Sequence, residues 1–376
     1  MVDRFTMAHA RTTGTGSRGA TLKDVAAAAG VSRTTVSNAY NRPGKLSAAV
    51  RTRVLAAARE LGYPGPDPVA RSLRTGRVGA LGVLLAEALA FAFDDPAAVV
   101  LLRGVAEAGQ LADMGLSLLP APPERPTGAA TATQAVAGAV VDGFLVYHLP
   151  DGHPSIPAVL GRRLPTVVVD GPDLEGVAFV GVDDRGGARR AAEHVLALGH
   201  RRIGVLVDRL AADAYRGPVD DQRRGASGFR AARLRLAGYA DALQAAGLAW
   251  ESIPVQECGV PNRASGHAGA AALLDRAPEL TAILATTDLL ARGAIQAAHE
   301  RDLPVPGALS VVGFDDLPDA DSTDLTTVHQ PLADKGRIAA RLLLQALDGA
   351  VPPTSHIELP TRLIVRGSTA QPPSRQ

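Results

Sequence analysis

Near the N-terminus, a short segment carries polar side chains of the types that bind nucleic acid, spaced so that they fall on one helical face. The spacing predicts a helix over residues 32–40. On this helix Arg33 can bind O6 and N7 of a guanine in bidentate fashion, and Asn38 can pair with an adenine, because such a helix fits the major groove. The alternative is a solvated polar face. The outward residues are Arg33, Thr34, Ser37, Asn38 and Asn41.

Other polar residues of this segment are better placed for the phosphate backbone, whose contacts fix the register of a protein on DNA without reading its sequence. Thr35, Ser37 and Asn41 belong to this group. Thr21 and Ser32 are expected to cap the first and second helices, and both are placed in the same set of DNA-binding residues.

Three short helices are needed to hold this face. Asp24 stands at the reciprocal capping-box position to Thr21, Gly30 ends the first helix, and Ser47 caps the third. Each helix has one apolar face at helical spacing. These faces comprise Leu22, Val25, Ala26 and Ala29, then Val36, Ala39 and Tyr40, and finally Val50, Val54, Ala58 and Leu61. We therefore predict an all-α helix-turn-helix unit over residues 20–64.

The net charge of +1 conceals an asymmetry along the chain. Residues 1–77 carry 13 Lys and Arg against four acidic residues, a charge of +9, whereas the remainder carries −8. A basic head on an acidic body favours a nucleic-acid partner, because phosphates attract the head and repel the body. Charge alone would equally fit an arm that binds a membrane surface, so the motifs have to decide.

Composition indicates a globular protein of the cytoplasm. The chain is 46% hydrophobic and 20% charged, and its single cysteine, Cys258, excludes an internal disulfide framework. No apolar run reaches about 18 residues, so we expect no membrane-spanning helix and no membrane partner. Residues 1–19 lack the apolar stretch of a secretory signal and are predicted to be a disordered leader.

Residues 65–77 are predicted to form a hinge between head and body. Asp67 can cap a helix, and Pro68 suits its first turn, but the residues up to Leu73 allow barely one turn more. Such a helix is unstable by itself, because nucleation outweighs so few hydrogen bonds. It could form when DNA and a partner chain support it. The alternative is a plain proline-rich linker.

In the body, apolar runs alternate with helical stretches, which is typical of parallel βαβ units. The strands are too many for one small sheet, so we predict two doubly wound parallel-sheet α/β lobes with a ligand crevice beyond the strand C-termini. The predicted strands cover residues 80–85, 116–119, 143–147, 166–169, 179–182, 202–207, 282–285 and 310–314. Predicted helices include residues 96–114, 185–198, 233–246 and 289–301.

Signatures of enzymes are missing from the sequence. It contains no dinucleotide-binding glycine motif, P-loop lysine, zinc-protease motif or nucleophile elbow, and no Cys/His spacing that suits zinc. We therefore expect no catalytic residue, no cofactor and no metal. An architectural DNA-binding protein would explain the head alone. A periplasmic-type solute-binding protein would explain the body alone, and it would need a signal peptide.

The head resembles the lactose-repressor (LacI/GalR) family of transcription regulators. The similarity lies in TLKDVAAAAGVSRTTVSNAYNRPGKLS, followed by TRVLAAARELGY and ARSLRTGRVGALGVLL, and it extends from Thr21 to about Gly367. The resemblance implies that Arg33, Thr34 and Asn38 carry most of the base choice.

The same resemblance gives the hinge a role. It implies that hinge helices containing Ala70 and Leu73 pair across a homodimer, and that Leu73 wedges into the minor groove and kinks the DNA. The linker at residues 64–68 is one residue longer than the usual family pattern, which leaves the rotation between head and hinge open.

The body resembles the effector domains of that family, which are periplasmic-binding-protein-like. The signatures are EHVLALGHRRIGVL, RLRLAGYADAL, AILATTDLLARGAI, LSVVGFDDLPDA and LTTVHQPL. The resemblance places the crossings between lobes near Asp183, Gln330 and Val351. It thus implies an effector domain over residues 78–367, with one lobe at 78–182 and 331–351, the other at 183–330 and 352–367, and a tail at 368–376.

The resemblance also assigns the effector cleft. Arg235 and Asp315 would grip polar groups of a ligand, one as a donor fork and the other as an acceptor. Asp315 could instead be a helix cap, Arg235 a surface ion pair and Phe93 a core residue. Thr287 departs from the asparagine common in the family, and Phe93, Asp95 and Asp170 are placed at strand ends. The further cleft residues are Phe93, Asp95, Asp170, Thr287 and Asp288.

These features predict a repressor that binds a pseudopalindromic operator in double-stranded DNA as a homodimer and responds to a small molecule. The stretch LAEALAFAFDDPAAVVLLRG has few hydroxyls and little stacking surface, and aromatic residues make up only 3% of the chain. A sugar is therefore less favoured, and a nucleoside, another metabolite or no effector remain open. A protein co-repressor on the same fold is a further alternative.

Overall fold

The computed structural model describes residues 19–41, 43–66, 72, 76–108, 114–122, 126–318, 324–349 and 355–374. The chain divides into two compact units, Met1–Val78 and Gly79–Gln376. Among the described residues, no helix is both long and apolar enough to cross a membrane. Ala70 and Leu73 of the predicted hinge lie outside the described residues, as do residues 1–18 of the predicted leader.

The first unit contains the three predicted helices. They are α1 (Leu22–Ala28), α2 (Arg33–Asn41) and α3 (Ala48–Glu60), with a short 3-10 helix at Pro43–Lys45 before α3. Thr21 and Asp24 form the predicted capping box, and Ser47 accepts a hydrogen bond from the backbone of Val50. Gly30 has φ +62°, which lets the chain turn sharply between α1 and α2.

A small apolar core fixes the angle between these helices. Val25, Val36 and Val54, one from each helix, are completely buried in it. After α3 the chain returns to α2, where the rings of Tyr40 and Tyr63 meet edge to face with their centroids 6.1 Å apart. The polar side of α2 is left on the surface of this unit.

The body consists of two doubly wound lobes, as predicted. The first sheet is entirely parallel, in the order β12-β5-β4-β3-β1-β2. Its strands are β1 (Ala80–Leu85), β2 (Gly115–Pro120), β3 (Gly143–Tyr147), β4 (Thr166–Val169), β5 (Ala178–Val182) and β12 (His356–Leu359). Its helices are α4 (Leu89–Asp94), α5 (Pro96–Ala106), α6 (Pro126–Gly138), α7 (Ser155–Gly161) and α13 (Leu332–Leu347).

The second sheet runs in the order β13-β11-β10-β9-β6-β8-β7, parallel except for the antiparallel edges β7 and β13. Its strands are β6 (Ile203–Val207), β7 (Gly217–Pro218), β8 (Val255–Glu257), β9 (Ala282–Ala285), β10 (Ser310–Asp315), β11 (Thr326–His329) and β13 (Arg362–Ile364). Its helices are α8 (Asp184–Ala197), α9 (Asp221–Gly225), α10 (Arg230–Ala245), α11 (Arg263–Arg276) and α12 (Asp288–His299), with a 3-10 turn at Trp250–Ser252.

Apolar cores cover both faces of each sheet. In the first lobe α5 and α13 pack on one face and α6 and α7 on the other, while in the second lobe α8 and α10 oppose α11 and α12. The central strands are therefore buried on both faces, which explains their continuous apolar sequence. This packing brings the carboxyl ends of both sheets to one crevice.

The third crossing between the lobes and the start of the tail differ from the sequence predictions. Strand β12 pairs in parallel with β5, so the prediction that the second lobe resumes at residue 352 is wrong, and the chain crosses between Leu359 and Arg362. The prediction of a tail from residue 368 is also wrong. Ser368 is buried and donates a 2.6 Å hydrogen bond to the carbonyl of Val311.

Two helix boundaries also differ. Helix α5 ends at Ala106 rather than at residue 114, and α10 begins at Arg230 rather than at residue 233. The earlier start of α10 places Arg230 within the helix, where its guanidinium reaches Glu358 of the first lobe at 2.7 Å.

Candidate functional site

The outward face of α2 presents three polar side chains that the rest of the described chain leaves unengaged. Arg33 and Thr34 are exposed and Asn38 is half-buried. Within the described residues, none of the three side chains takes part in a hydrogen bond or an ion pair. Their donors and acceptors are thus available to an external partner, and they are the residues that the sequence assigned to base contacts.

The other residues of the predicted DNA-binding set in the head form hydrogen bonds with their sequence neighbours. The Thr35 amide donates to Ser32 Oγ at 3.0 Å, and Asn41 Nδ2 donates to the carbonyl of Ser37 at 3.0 Å. Thr21 Oγ1 donates to Asp24 at 2.7 Å. Thr21 and Ser32 thus cap the N-termini of α1 and α2, and Asn41 binds the backbone near the C-terminus of α2. The DNA-binding role of these residues stays a prediction.

A cavity of about 70 Å³ lies between the lobes of the body, at the carboxyl ends of both sheets. Five of the seven residues that the sequence assigned to an effector line it, and they come from both lobes. Asp95 and Asp170 belong to the first lobe, and Arg235, Thr287 and Asp315 belong to the second. The fold therefore brings together side chains that lie up to 220 residues apart in sequence.

Phe93 and Asp288 do not line the cavity. Phe93 lies on α4 and is 62% exposed, so it is neither at a strand end nor in the core. Asp288 is completely buried, where it accepts hydrogen bonds from Thr327 Oγ1 at 2.5 Å and from the Leu317 amide at 2.9 Å. Burial raises the pKa of Asp288 to about 6. Asp288 therefore supports the turn that follows β10.

Arg235 is the charged centre of the second lobe's side of the cavity. Its Nε donates to Asp184 at 2.8 Å, its Nη1 donates to the carbonyl of Thr286 at 2.5 Å, and Asp315 lies 3.5 Å away. The guanidinium stacks on the ring of Phe314, 3.7 Å from its centroid. Burial lowers the pKa of Arg235, but the carboxylates of Asp184 and Asp315 outweigh this effect and raise it.

Asp315 ends strand β10 with a φ of +126°, a backbone conformation that residues other than glycine rarely adopt. Gln330 Nε2 donates to its Oδ1 at 2.5 Å. Burial raises the pKa of the Asp315 carboxyl to about 8, although Arg235 opposes the shift. The carboxyl can thus offer either a donor or an acceptor to a ligand near neutral pH.

Asp95 and Asp170 face these groups from the first lobe. Asp95 is not at a strand end, as the sequence suggested, but caps α5 by accepting a 3.0 Å hydrogen bond from the Ala97 amide. Burial raises its pKa. Asp170 directly follows β4 with φ +62°, and its Oδ2 accepts a 2.5 Å hydrogen bond from Lys335.

Sequence reasoning missed several residues that line the cavity. Tyr147 and His148 end β3, Asp208 and Arg209 follow β6, and Glu87 follows β1. The rule that ligands bind beyond strand C-termini could have found them, because these strands were themselves predicted. Burial lowers the pKa of His148 to about 4, so its imidazole is neutral at physiological pH.

Ion pairs join the lobes around the crevice. Arg209 pairs with Glu87, Arg233 Nη1 lies 2.9 Å from Asp151, and Arg230 Nη2 lies 2.7 Å from Glu358. In each pair the arginine belongs to the second lobe and the carboxylate to the first. Within the described residues, no cluster of His, Cys, Asp and Glu could hold a metal ion.

Two family models match the chain. Residues 21–65 match the bacterial regulatory proteins of the lacI family, and residues 192–369 match a periplasmic binding protein-like domain. The HTH-type transcriptional regulator Rv3575c of Mycobacterium tuberculosis is 46% identical over 95% of this chain and 98% of its own length.

Two similar solved structures contain a bound small molecule. The lac repressor dimer bound to operator and the anti-inducer ONPF is 28% identical over 94% of this chain and 100% of its own, with a TM-score of 0.75. The complex of the transcriptional regulator CelR with cellobiose is 29% identical over 93% of this chain and 99% of its own, with a TM-score of 0.67.

Proposed function

Since the chain belongs to the lacI family of bacterial regulatory proteins, we propose that it is a cytoplasmic repressor that binds a pseudopalindromic operator as a homodimer. The observation that carries the proposal is the outward face of α2. Arg33, Thr34 and Asn38 project from a capped, packed helix, and their polar groups have no partner within the described residues. Since the chain is a transcriptional regulator of this family, this face is the part of the head that reads base edges.

Phosphate contacts complete the interface in this proposal. The residues concerned lie at the ends and along the side of the first two helices, and they are Thr21, Ser32, Thr35, Ser37 and Asn41. Thr21 and Ser32 accept hydrogen bonds from the backbone amides of Asp24 and Thr35. Asn41 Nδ2 donates to the carbonyl of Ser37. Amide groups at helix N-termini attract phosphates, and the +9 charge of residues 1–77 adds long-range attraction.

The hinge residues Ala70 and Leu73 are proposed to act in the minor groove. In this proposal a short helix forms only when DNA and the partner chain support it, and Leu73 wedges between base steps. Replacement of Leu73 by Ala should then weaken specific binding and reduce bending while sparing non-specific affinity. An equal loss of specific and non-specific affinity would count against a wedge.

The inter-lobe cavity is proposed to bind a small polar effector. Asp95, Asp170, Arg235, Thr287 and Asp315 supply acceptors and donors from both lobes, so a ligand between them favours one arrangement of the lobes over another. The relatives whose structures contain cellobiose and ONPF support a compact polar molecule. Among the described residues, Tyr147 and His148 alone bring aromatic rings to the cavity, so hydrogen bonding rather than stacking would hold the ligand.

The proposed mechanism is release of the operator when the effector binds. A ligand that re-angles the lobes changes the spacing of the two hinge segments in the dimer, and a coupling free energy of roughly 1–3 kcal/mol changes operator affinity about 5- to 150-fold. We favour induction, in which the effector lowers operator affinity, over co-repression, in which it raises operator affinity.

In vitro selection of DNA from a random library tests the DNA-binding half of the proposal. The full-length protein should enrich a pseudopalindrome with two matching half-sites, and sedimentation analysis should give a dimer. Enrichment of no sequence, or of one unpaired half-site by a monomer, would overturn the proposal. A library screen by thermal shift then tests the cavity, and a protein co-repressor would be indicated if no small molecule stabilises the body.

A further inference from the structure

Lysine is rare in this chain, and one lysine is completely buried. Of the 39 Lys and Arg residues only three are lysines, namely Lys23, Lys45 and Lys335. Lys23 and Lys45 are exposed in the head, whereas Lys335 in the body has 0% of its surface exposed. Every other Lys or Arg position of the body is an arginine. The one lysine therefore indicates that this position requires an ammonium group.

The position is an unfavourable one for a cation by itself. Lys335 lies in the first turn of α13, where the helix dipole repels positive charge, and burial of an unpaired ammonium is costly. Two partners offset this cost. Nζ donates to Asp170 Oδ2 at 2.5 Å and to Gln330 Oε1 at 2.7 Å. The lysine is therefore held by a cavity-lining carboxylate of the first lobe and by a residue of the chain crossing.

Gln330 carries the connection into the second lobe. It lies between β11 of the second sheet and α13 of the first lobe, and its Nε2 donates to Asp315 Oδ1 at 2.5 Å. Asp315 in turn lies 3.5 Å from Arg235. A continuous buried path thus joins Asp170 to Asp315 through Lys335 and the amide of Gln330, with each side chain less than a tenth exposed.

An ammonium suits this junction better than a guanidinium would. Its compact charge can donate in two directions from a single atom, whereas a guanidinium is planar and presents its donors as a fixed fork. In addition, Asp170 Oδ1 is buried and has no hydrogen-bond partner among the described residues. One oxygen of Asp170 is thus committed to Lys335, and the other is left for a ligand donor.

We propose that Lys335 is a positioning residue of the cleft, which holds Asp170 of the first lobe and, through Gln330, Asp315 of the second in one geometry. This inference rests on the proposed effector site. A ligand donor that reaches Asp170 weakens the hold of that carboxylate on Lys335. The crossing segment at Gln330 then responds, which gives effector binding a direct route to the angle between the lobes.

Side-chain ammonium NMR on the 15N-lysine-labelled full-length protein tests this connection. An exposed ammonium loses its signal to exchange with water near neutral pH, so Lys335 should give the one protected signal, and Lys335→Met should remove it. We expect Asp170→Asn to shift this signal because Asp170 is a direct partner. We expect Asp315→Asn, in the other lobe, to shift it as well. Asp275→Asn is the matched control, since this exposed carboxylate of the second lobe pairs with Arg301, outside the buried path, and it should leave the signal in place.

Hydrogen exchange followed by mass spectrometry provides a second measurement that does not depend on the ammonium NMR signal of Lys335. Lys335→Met should accelerate exchange at residues 166–171 of the first lobe and at 313–317 of the second. Arg337→Met removes a charge from the same helix outside the path, where Arg337 contacts Asp334 and Glu107, and it should change neither segment. If Lys335→Met does not fold, the double variant with Asp170→Asn removes the unpaired carboxylate and is measured instead.

Two results would overturn the proposal. One is a protected ammonium signal that Asp170→Asn moves and Asp315→Asn leaves at its wild-type position. The other is faster exchange confined to the first lobe in Lys335→Met. Either result would restrict Lys335 to a structural role in one lobe. A protein that gives such a result and still binds its operator would leave the proposed function intact, so the two failures are distinguishable.

Discussion

At the scale of single residues, the outward face of α2 and the inter-lobe cleft differ in whether their polar side chains have hydrogen-bond partners. On α2, Arg33, Thr34 and Asn38 project without partners in the described chain, whereas in the cleft Arg235 and Asp315 are fully engaged and buried. Unengaged surface groups suit a partner as large and as hydrated as DNA. Buried and partnered groups are preorganised for a small ligand.

Replacement of Arg33 by Ala should relax base choice at one position of each half-site and cost on the order of 1–3 kcal/mol of operator binding. The physical reason is the loss of a bidentate donor to a guanine edge. In vitro selection of DNA from a random library measures the base preference at each position. Arg53→Ala, an exposed arginine on α3, is the control and should leave the sequence preference unchanged. An identical preference in Arg33→Ala and the wild type would remove Arg33 from the base-reading set.

Asp315 makes the stability of the body depend on pH. Its pKa is raised from an ordinary value of 3.8 to about 8 in the folded protein, so the folded state binds the proton more tightly than the unfolded state. Its contribution is fully present below about pH 4 and is lost as the pH rises through about 8. The melting temperature of the wild type should therefore fall between pH 5.5 and 8.

Asp315→Asn removes this titration and should flatten the slope of melting temperature against pH. Asp288, whose pKa is about 6, interacts with Asp315, so the difference between the two slopes reports the titration of Asp315 together with its effect on Asp288. Parallel slopes would contradict the raised pKa of this carboxyl.

At the scale of elements, the sequence predicts eight of the described strands and misses β7, β8, β11, β12 and β13. β1, β3, β4 and β9 are continuous apolar runs because both faces are covered, and the sequence places them at the observed residues. β12 has the sequence HIEL and alternates between exposed and half-buried positions. Its pairing with β5 depends on residues far away in sequence, so the third crossing was misplaced.

The same limit applies to the site. Asp315 was predictable from the family resemblance and Asp170 from its place at a strand end, but nothing in the sequence distinguishes Lys335 from a surface lysine on an amphipathic helix. Its burial results from the way α13 packs against the first sheet while Gln330 leads back to the second. Phe93 was misassigned because a short helix, α4, follows β1 where a simple strand end was expected.

The helix caps of the head give a prediction at this scale. Ser47→Ala removes the oxygen that accepts the Val50 amide at the start of α3 and should cost about 1 kcal/mol of the head's stability. Hydrogen exchange at residues 48–60 of the full-length protein measures it. Ser47→Asp retains a capping oxygen and should exchange like the wild type. Equal acceleration in both variants would show that the cap does not contribute.

At the scale of the whole molecule, the body consists of two lobes joined by three chain crossings and by ion pairs around the crevice. Asp183 and Thr361 lie side by side at two of the crossings, where Thr361 Oγ1 donates to the carbonyl of Asp183 at 3.1 Å. Closely spaced crossings of this kind allow the lobes to rotate as units, because few backbone angles need to change.

The rim ion pair between Glu87 and Arg209 should stabilise the approach of the lobes. Glu87→Gln removes the negative charge that faces the buried guanidinium of Arg209 across the crevice, so hydrogen exchange should accelerate on both sides, at residues 85–92 and 206–212. Glu107→Gln, which removes a carboxylate that pairs with Arg337 within the first lobe, is the control. If Glu87→Gln matched the control, the pair would have no part in holding the lobes.

The most direct test of the account is the operator affinity of the full-length protein with and without a small molecule that stabilises the body in a thermal-shift screen. We predict that such a molecule changes the affinity of the wild type about 5- to 150-fold and leaves the affinity of Asp315→Asn unchanged. A molecule that binds in the cleft and leaves the operator affinity of the wild type unaltered would contradict the proposed coupling between the body and the DNA-binding head.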